Sequence, residues 1–226
     1  MNKDVIPACA GMTRLPAMKT KIPPIDLQAE LKELGPELKK RTTQVLESGR
    51  YILGKEVQAF ERNFAQFTGA QYAIGVASGS DALLLALMAF DVKAGDEVIT
   101  TPFSFISTAT TIARLGAKPI FVDIDPKTFN LNPSLIEKKI TKRTKGIIPV
   151  HLYGNPCQMD QITKVAKKRR LFVIEDCAQA CGATFEGKSV GTFGGFGAFS
   201  FYPTKNMTTG DGGMLTGDPE LIERAR

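Results

Sequence analysis

In the stretch SFYPTKNMTTGDGGML, Ser200 to Leu215, one lysine, Lys205, stands between a strand-like aromatic run and a segment of Thr, Asn and Gly. A lysine held in a loop against an apolar domain has its ammonium partly desolvated, which lowers its pKa and frees the amine as a nucleophile. Lysines of that kind form imines with carbonyls. Glycines at 210, 212 and 213 let the backbone pass close to a ligand. A phosphate-binding or merely exposed lysine fits the same residues. A Walker loop does not, because Lys205 precedes its glycines instead of following them.

Two further strand ends hold residues of complementary chemistry. Val173-Ile174-Glu175-Asp176-Cys177-Ala178-Gln179-Ala180 reads as an apolar strand ending in two acids and a small-residue turn. Strand alternation puts Glu175 and Asp176 on opposite faces, so at most one looks into a given cleft. A buried carboxylate needs a positive partner, and a protonated ring nitrogen on a ligand would be one; a capping or turn-stabilising Asp is the plainer reading. Ser78-Gly79-Ser80-Asp81 lies between an apolar run and Ala82-Leu83-Leu84-Leu85-Ala86-Leu87. Gly79 allows a sharp turn there. A helix beginning at that point would offer its free N–H groups and positive end to a phosphate, with Ser80 beside it. Ser80 or Asp81 acting simply as the helix cap is the competing reading.

A lysine for an aldehyde, an acid for a pyridine nitrogen and a phosphate cradle together describe pyridoxal phosphate. Phe105, following the strand Glu97–Thr101, is placed to stack on the ring.

These residues need a scaffold that presents successive strand ends to one place. Apolar β-like runs occur at Tyr72–Ala77, Glu97–Thr101, Pro119–Val122, Gly146–Val150, Leu171–Ile174, Ala198–Phe201 and Met214–Thr216. Helical patterns separate most of them, at Asp81–Phe90, Phe105–Leu115, Pro133–Ile140 and Gln158–Lys168. This alternation predicts an α/β domain, a three-layer αβα sandwich whose mostly parallel central sheet is covered on both faces. The last two strands have no helix between them, so part of the sheet is expected to run antiparallel or out of order. Upstream, Leu27, Leu31 and Leu34 mark one helical face. Gly35-Pro36 is expected to end that helix, with Pro36 opening a second one that reaches about Leu46. Val57, Phe60, Phe64 and Phe67 form another stripe, closed by Gly69.

Composition narrows the function classes. The chain has 226 residues, 43% hydrophobic and 23% charged, with a formal net charge of +6, which suits a soluble globular protein with a real core. No apolar run approaches the roughly 20 residues of a membrane span, so no membrane partner is expected. Lys167-Lys168-Arg169-Arg170 is the densest basic cluster and reads as a solvated helix end; without aromatic interleaving it gives no reason to expect nucleic acid. Cys9, Cys157, Cys177 and Cys181 are not spaced as a disulfide framework, which points to a reduced, cytoplasmic setting. His151, the only histidine, lies in an apolar run and reads as structural. With Cys177 and Cys181 it makes a poor zinc set, lacking paired spacing and a fourth ligand, and no metal is expected.

The segments ASGSDAL, TPFSFISTA, FVDIDPKTFNLNP, IIPVHLYG, VIEDCAQA and SFYPTKNMTTGDGGM together resemble nucleotide-sugar aminotransferases of the DegT/StrS type. The resemblance covers nearly everything from about Ile22 to Arg226. It implies the large domain of a fold type I pyridoxal-phosphate enzyme and a reaction that replaces a keto group on a nucleotide-linked sugar with an amine, typically from glutamate. It makes Lys205 the imine-forming lysine and proton shuttle, and Asp176 the partner of the pyridinium. Gln179 would approach the ring and its phenolic oxygen, Gly79, Ser80 and Ser200 would bind phosphate, and Phe105 would stack. Gln179 is the pattern of enzymes acting at carbon 3. Dehydratases on the same scaffold carry histidine where Lys205 stands, which favours amino transfer here.

On that resemblance residues 1–21 are an N-terminal extension, expected to be disordered, and residues 22–226 the cofactor-binding domain. On the same resemblance, the family's smaller C-terminal domain is expected to be missing from these 226 residues. The enzyme is expected to be a homodimer when full length, and a catalytically incompetent remnant is the alternative.

Overall fold

The structure is a computed structural model that describes residues 25–226. The expected N-terminal extension, residues 1–21, lies outside them. The described chain falls into two units, one reaching Thr43 and the other Gln44–Arg226.

The first helix, α1 (Leu27–Ser48), runs straight through Pro36, where the sequence predicts a break. A proline normally clashes with the Cβ of the residue before it; Gly35 has none, which removes that obstacle to continuing the helix.

The larger unit begins with α2 (Lys55–Thr68), closed by Gly69 at φ 71° in the left-handed conformation. Seven strands then form one sheet: β1 (Tyr72–Val76), β2 (Glu97–Thr100), β3 (Lys118–Phe121), β4 (Thr144–Ile147), β5 (Phe172–Asp176), β8 (Phe196–Ser200) and β9 (Gly213–Gly217). A small hairpin, β6 (Thr184–Phe185) and β7 (Lys188–Ser189), stands apart from it; two-residue strands leave too short a pattern to read in the sequence. The sheet order is β1-β9-β8-β5-β4-β2-β3. β9 runs antiparallel to both its neighbours, and the other six strands are parallel. The mixed sheet expected from the missing helix between the last two strands is therefore present.

Alternation along each strand builds the two outer layers. Val98, Ile174, Ala198 and Leu215 face one side, where they pack with α3 (Gly79–Ala89), α4 (Ser107–Arg114) and α6 (Pro219–Ala225). Their neighbours Ile99 and Val173 face the other side, against Met159, Ile162 and Ala166 of α5 (Met159–Arg169). Phe199 and Met214 point the same way and meet Phe64 of α2. Full burial of such side chains contributes about 1.5–3 kcal/mol each, so both faces of the sheet are heavily invested.

The helix expected at Pro133–Ile140 is replaced by two tight 3₁₀ turns, Pro133–Leu135 and Glu137–Lys139. Ile136 is fully buried between them; eight residues pinned at their centre form separate tight turns more readily than a helix with a costly nucleus. Lys167, Lys168 and Arg169 lie in the last turn of α5, and two of them pair with Glu137, as expected of a solvated helix end.

Candidate active site

The carboxyl ends of parallel strands meet at one cavity of about 400 Å³, the usual place for a ligand in an open α/β sheet. Lys205 and Asp176 both line it. So do Gly79, Ser80 and Ser200 from the expected cradle, and Phe105 and Gln179 from the expected ring contacts. All seven residues singled out from the sequence are brought together.

The cradle is the start of α3. Ser78, and neither Ser80 nor Asp81, is the cap: its hydroxyl accepts from the Asp81 amide at 3.1 Å and donates to the Asp81 carboxylate at 2.9 Å. Ser80 is thereby released to face the cavity. The N–H groups of Gly79 and Ser80 have no acceptor among the described residues. Two free donors at the positive end of a helix form an anion site. Gly79 is required there by packing, since a Cβ would stand 2.7 Å from the Cβ of Ser200.

The two acids of β5 divide as alternation demands. Asp176 has the parity of Ile174 and faces the α4 layer, where Oδ2 accepts from Thr108 Oγ1 at 2.8 Å and Oδ1 from the Ala178 amide at 3.2 Å. Burial pushes its carboxyl above the ordinary range, while the Thr108 hydroxyl and the Ala178 amide lead the effects that oppose that push. A carboxylate so desolvated is primed for a cationic ligand atom.

Glu175 has the parity of Val173 and is completely buried on the other side. Its Oε1 accepts from the amides of Phe193 and Gly194, and its Oε2 from the Gly191 amide and from His151 Nε2 at 3.1 Å. His151 Nδ1 accepts from the Cys157 amide, which fixes the tautomer with the proton on Nε2. His151, Glu175 and Cys177 come within metal-ligating distance of one another. Both histidine nitrogens and both carboxylate oxygens are already engaged, however, so the cluster works as a hydrogen-bonded strut. Burial, then the two nearby carboxylates, push the Cys157 and Cys177 thiols up, far from a metal-binding thiolate.

Lys205 is half-buried in a loop fixed at several points. Its amide donates to the Tyr202 carbonyl, Thr208 Oγ1 donates to the Phe201 carbonyl, and Asn206 Nδ2 to the Cys181 carbonyl. Gly210 and Gly212 adopt φ of 86° and 143°, which only glycine takes easily. Gln179 Oε1 accepts from the amide of Tyr153, itself at a left-handed φ of 57°. Phe105 is 67% exposed, leaving a ring face open to a ligand.

The sequence reading missed Ser104, Ser107 and Thr108, which also line the cavity. Ser107 Oγ accepts from Ser80 Oγ at 2.7 Å, and Ser104 and Thr108 share a hydrogen bond of 3.0 Å. Their spacing of three and four residues, hydroxyl on hydroxyl, was the available signal of one polar helical face. Tyr202, Thr204 and Asp211 line the cavity as well, and no periodicity marks them.

The sequence model of the DegT/DnrJ/EryC1/StrS aminotransferase family matches residues 32–226. The chain is 46% identical over 209 residues, 92% of its length, to the UDP-N-acetyl-3-dehydro-alpha-D-glucosamine 3-aminotransferase of Acidithiobacillus ferrooxidans, of which it covers 57%. It is 50% identical over 205 residues, 90% of its length, to the dTDP-3-amino-3,6-dideoxy-alpha-D-galactopyranose transaminase of Aneurinibacillus thermoaerophilus, of which it covers 56%. The crystal structure of S. venezuelae DesV in complex with a ketimine intermediate superposes with a TM-score of 0.88 at 44% identity, covering 91% of this chain and 56% of that one. The chain thus spans little more than half the length of the proteins it matches.

Proposed function

The chain belongs to the DegT/DnrJ/EryC1/StrS aminotransferase family, and from that premise we propose that it is the cofactor-binding part of a pyridoxal-phosphate-dependent sugar aminotransferase. The reaction moves an amino group from an amino-acid donor, glutamate, to a nucleotide-linked keto-sugar. Carbon 3 is the position aminated, on the strength of Gln179 and of the two relatives whose names specify that carbon. Residues 22–226 make up the cofactor-binding domain, and the full-length enzyme is a homodimer. Three cysteines free of disulfides, Cys157, Cys177 and Cys181, suit a cytoplasmic enzyme.

The single observation that supports this reading most is the convergence of Lys205, Asp176 and the open N–H groups of α3 on one cavity. The donor set fits the cofactor: an anion site for its phosphate, a desolvated carboxylate for its ring nitrogen, an amine for its aldehyde and an exposed aromatic face. When bound, pyridoxal phosphate supplies an aldehyde for covalent capture and a protonated ring that withdraws electrons.

The protein's residues do the rest. Gly79, Ser80 and Ser200 would hold the phosphate and so fix one end of the ligand. Asp176 would hold a proton at the ring nitrogen by offering it a negative charge that burial isolates from water. Lys205 would supply the amine that captures the aldehyde, and its Nζ would serve as the base and acid that moves a proton in the cavity. Phe105 would cover a ring face and exclude water from it. Gln179, oriented by the Tyr153 amide, would approach the phenolic oxygen.

Titration of the purified chain with pyridoxal phosphate, followed by glutamate, tests the reading. The expected result is a saturable absorbance near that of a protonated imine, converted by glutamate to the spectrum of the amine form. A cofactor spectrum indistinguishable from that in buffer overturns it.

A further inference from the structure

Two adjacent residues of α4 reach two different subsites. Ser107 accepts from Ser80 at the α3 start, and Thr108 donates to Asp176 at the end of β5. Resting on the functional reading above, we propose that Thr108 is a positioning residue whose hydroxyl sets the orientation of the Asp176 carboxylate and keeps the shared proton on the cofactor's ring nitrogen.

The geometry leaves that hydroxyl little freedom. Thr108 is 1% exposed and sits on the same side of the sheet as Asp176. Its Oγ1 lies 2.8 Å from Asp176 Oδ2 and 3.0 Å from Ser104 Oγ, with the Phe105 carbonyl more distant at 3.2 Å. The carboxylate, a pure acceptor, takes the single Thr108 proton by the shorter contact, and Ser104 then donates to the Thr108 oxygen. The result is a two-hydroxyl relay ending on Oδ2. Oδ1 is held by the Ala178 amide, so both oxygens are anchored and the carboxylate plane is fixed. A donor on the carboxylate lowers its proton affinity. A proton between Asp176 and a pyridine nitrogen is therefore pushed toward nitrogen. Removing the donor lets the proton retreat to oxygen and weakens the electron-withdrawing ring. The link from Ser107 to the phosphate cradle makes α4 the brace between the two anchors.

The experiment uses the 226-residue chain and pyridoxal phosphate labelled with ¹⁵N in the ring. Thr108→Val keeps the side-chain shape and removes the donor; Thr108→Ser keeps the donor. For Thr108→Val we expect native-like circular dichroism, a Kd for the cofactor raised about tenfold, and a ring ¹⁵N resonance shifted toward the unprotonated position. Thr108→Ser should restore both. An unchanged resonance in Thr108→Val, or a loss that Thr108→Ser fails to rescue, overturns the inference while leaving cofactor binding by the wild type intact. A wild type that does not bind the cofactor, or an Asp176→Asn variant whose ring resonance stays protonated, overturns the reading beneath it and this inference with it.

Discussion

Glu175 and Asp176 are consecutive residues of β5 whose carboxylates serve opposite faces of the sheet. Glu175 accepts four N–H donors beneath the 191–194 loop, while Asp176 lines the cavity on the α4 side. One acid is engaged by the fold and the other lines the cavity, so their variants separate cleanly.

Glu175→Ala leaves the amides of Gly191, Phe193 and Gly194 and the His151 Nε2–H without their acceptor at a completely buried side chain. Unpaired buried donors and a broken buried pair cost about 3–5 kcal/mol together. A urea titration is expected to show the unfolding free energy lowered by that amount, with the midpoint at lower urea and the slope unchanged. A loss under 1 kcal/mol contradicts the strut.

Asp176→Asn acts in the other direction. Burial holds the Asp176 carboxyl above the ordinary range against the pull led by Thr108 and Ala178, so the folded state prefers the neutral acid. Its favourable contribution is complete below the ordinary value of about 3.9 and is lost as pH rises through the higher folded value. Relative to wild type without cofactor, the variant should gain stability as pH rises through that window, while losing cofactor retention. Thermal unfolding from acid to neutral pH checks this; a pH-independent difference between the two proteins would be the wrong sign of coupling.

Gly79→Ala places a methyl group 2.7 Å from the Ser200 Cβ and 3.2 Å from its backbone Cα. Overpacking of this kind costs about 1–3 kcal/mol and spreads the cradle. Fluorescence titration with pyridoxal phosphate should give a Kd raised tenfold or more. Wild-type affinity would remove the α3 start from the site.

Phe105→Ala should leave stability within about 0.5 kcal/mol, because the ring is largely exposed. Loss of a stacking surface worth about 0.5–1.5 kcal/mol should weaken cofactor affinity roughly three- to tenfold. Equal affinity in the two proteins means the ring stacks on nothing.

Much of this was legible in the sequence, and the gaps have physical causes. Strand alternation alone puts Glu175 and Asp176 on opposite faces, because a period of two admits one solution. The α2 stripe and its Gly69 stop were equally plain. The continuous α1 was missed because Gly35 reads as a stop by itself, whereas before Pro36 it removes the clash that would have made one. The competing reading of Ser80 or Asp81 as the cap misses Ser78 by two or three residues, a shift that helix-end signals rarely resolve. The Ser107 and Thr108 hydroxyls went unread because their partners, Ser80 and Asp176, lie 27 and 68 residues away along the chain. Local spacing says nothing of such distant meetings.

The most direct test of the account is chemical capture at Lys205. The chain is incubated with pyridoxal phosphate, reduced with borohydride, digested and mapped by mass spectrometry, beside a Lys205→Ala control. The account expects one stoichiometric reduced adduct on the peptide containing Lys205, none on that peptide in the control, and a loss of amino transfer exceeding a thousandfold. Adduct scattered over surface lysines, equally abundant in both proteins, would contradict it.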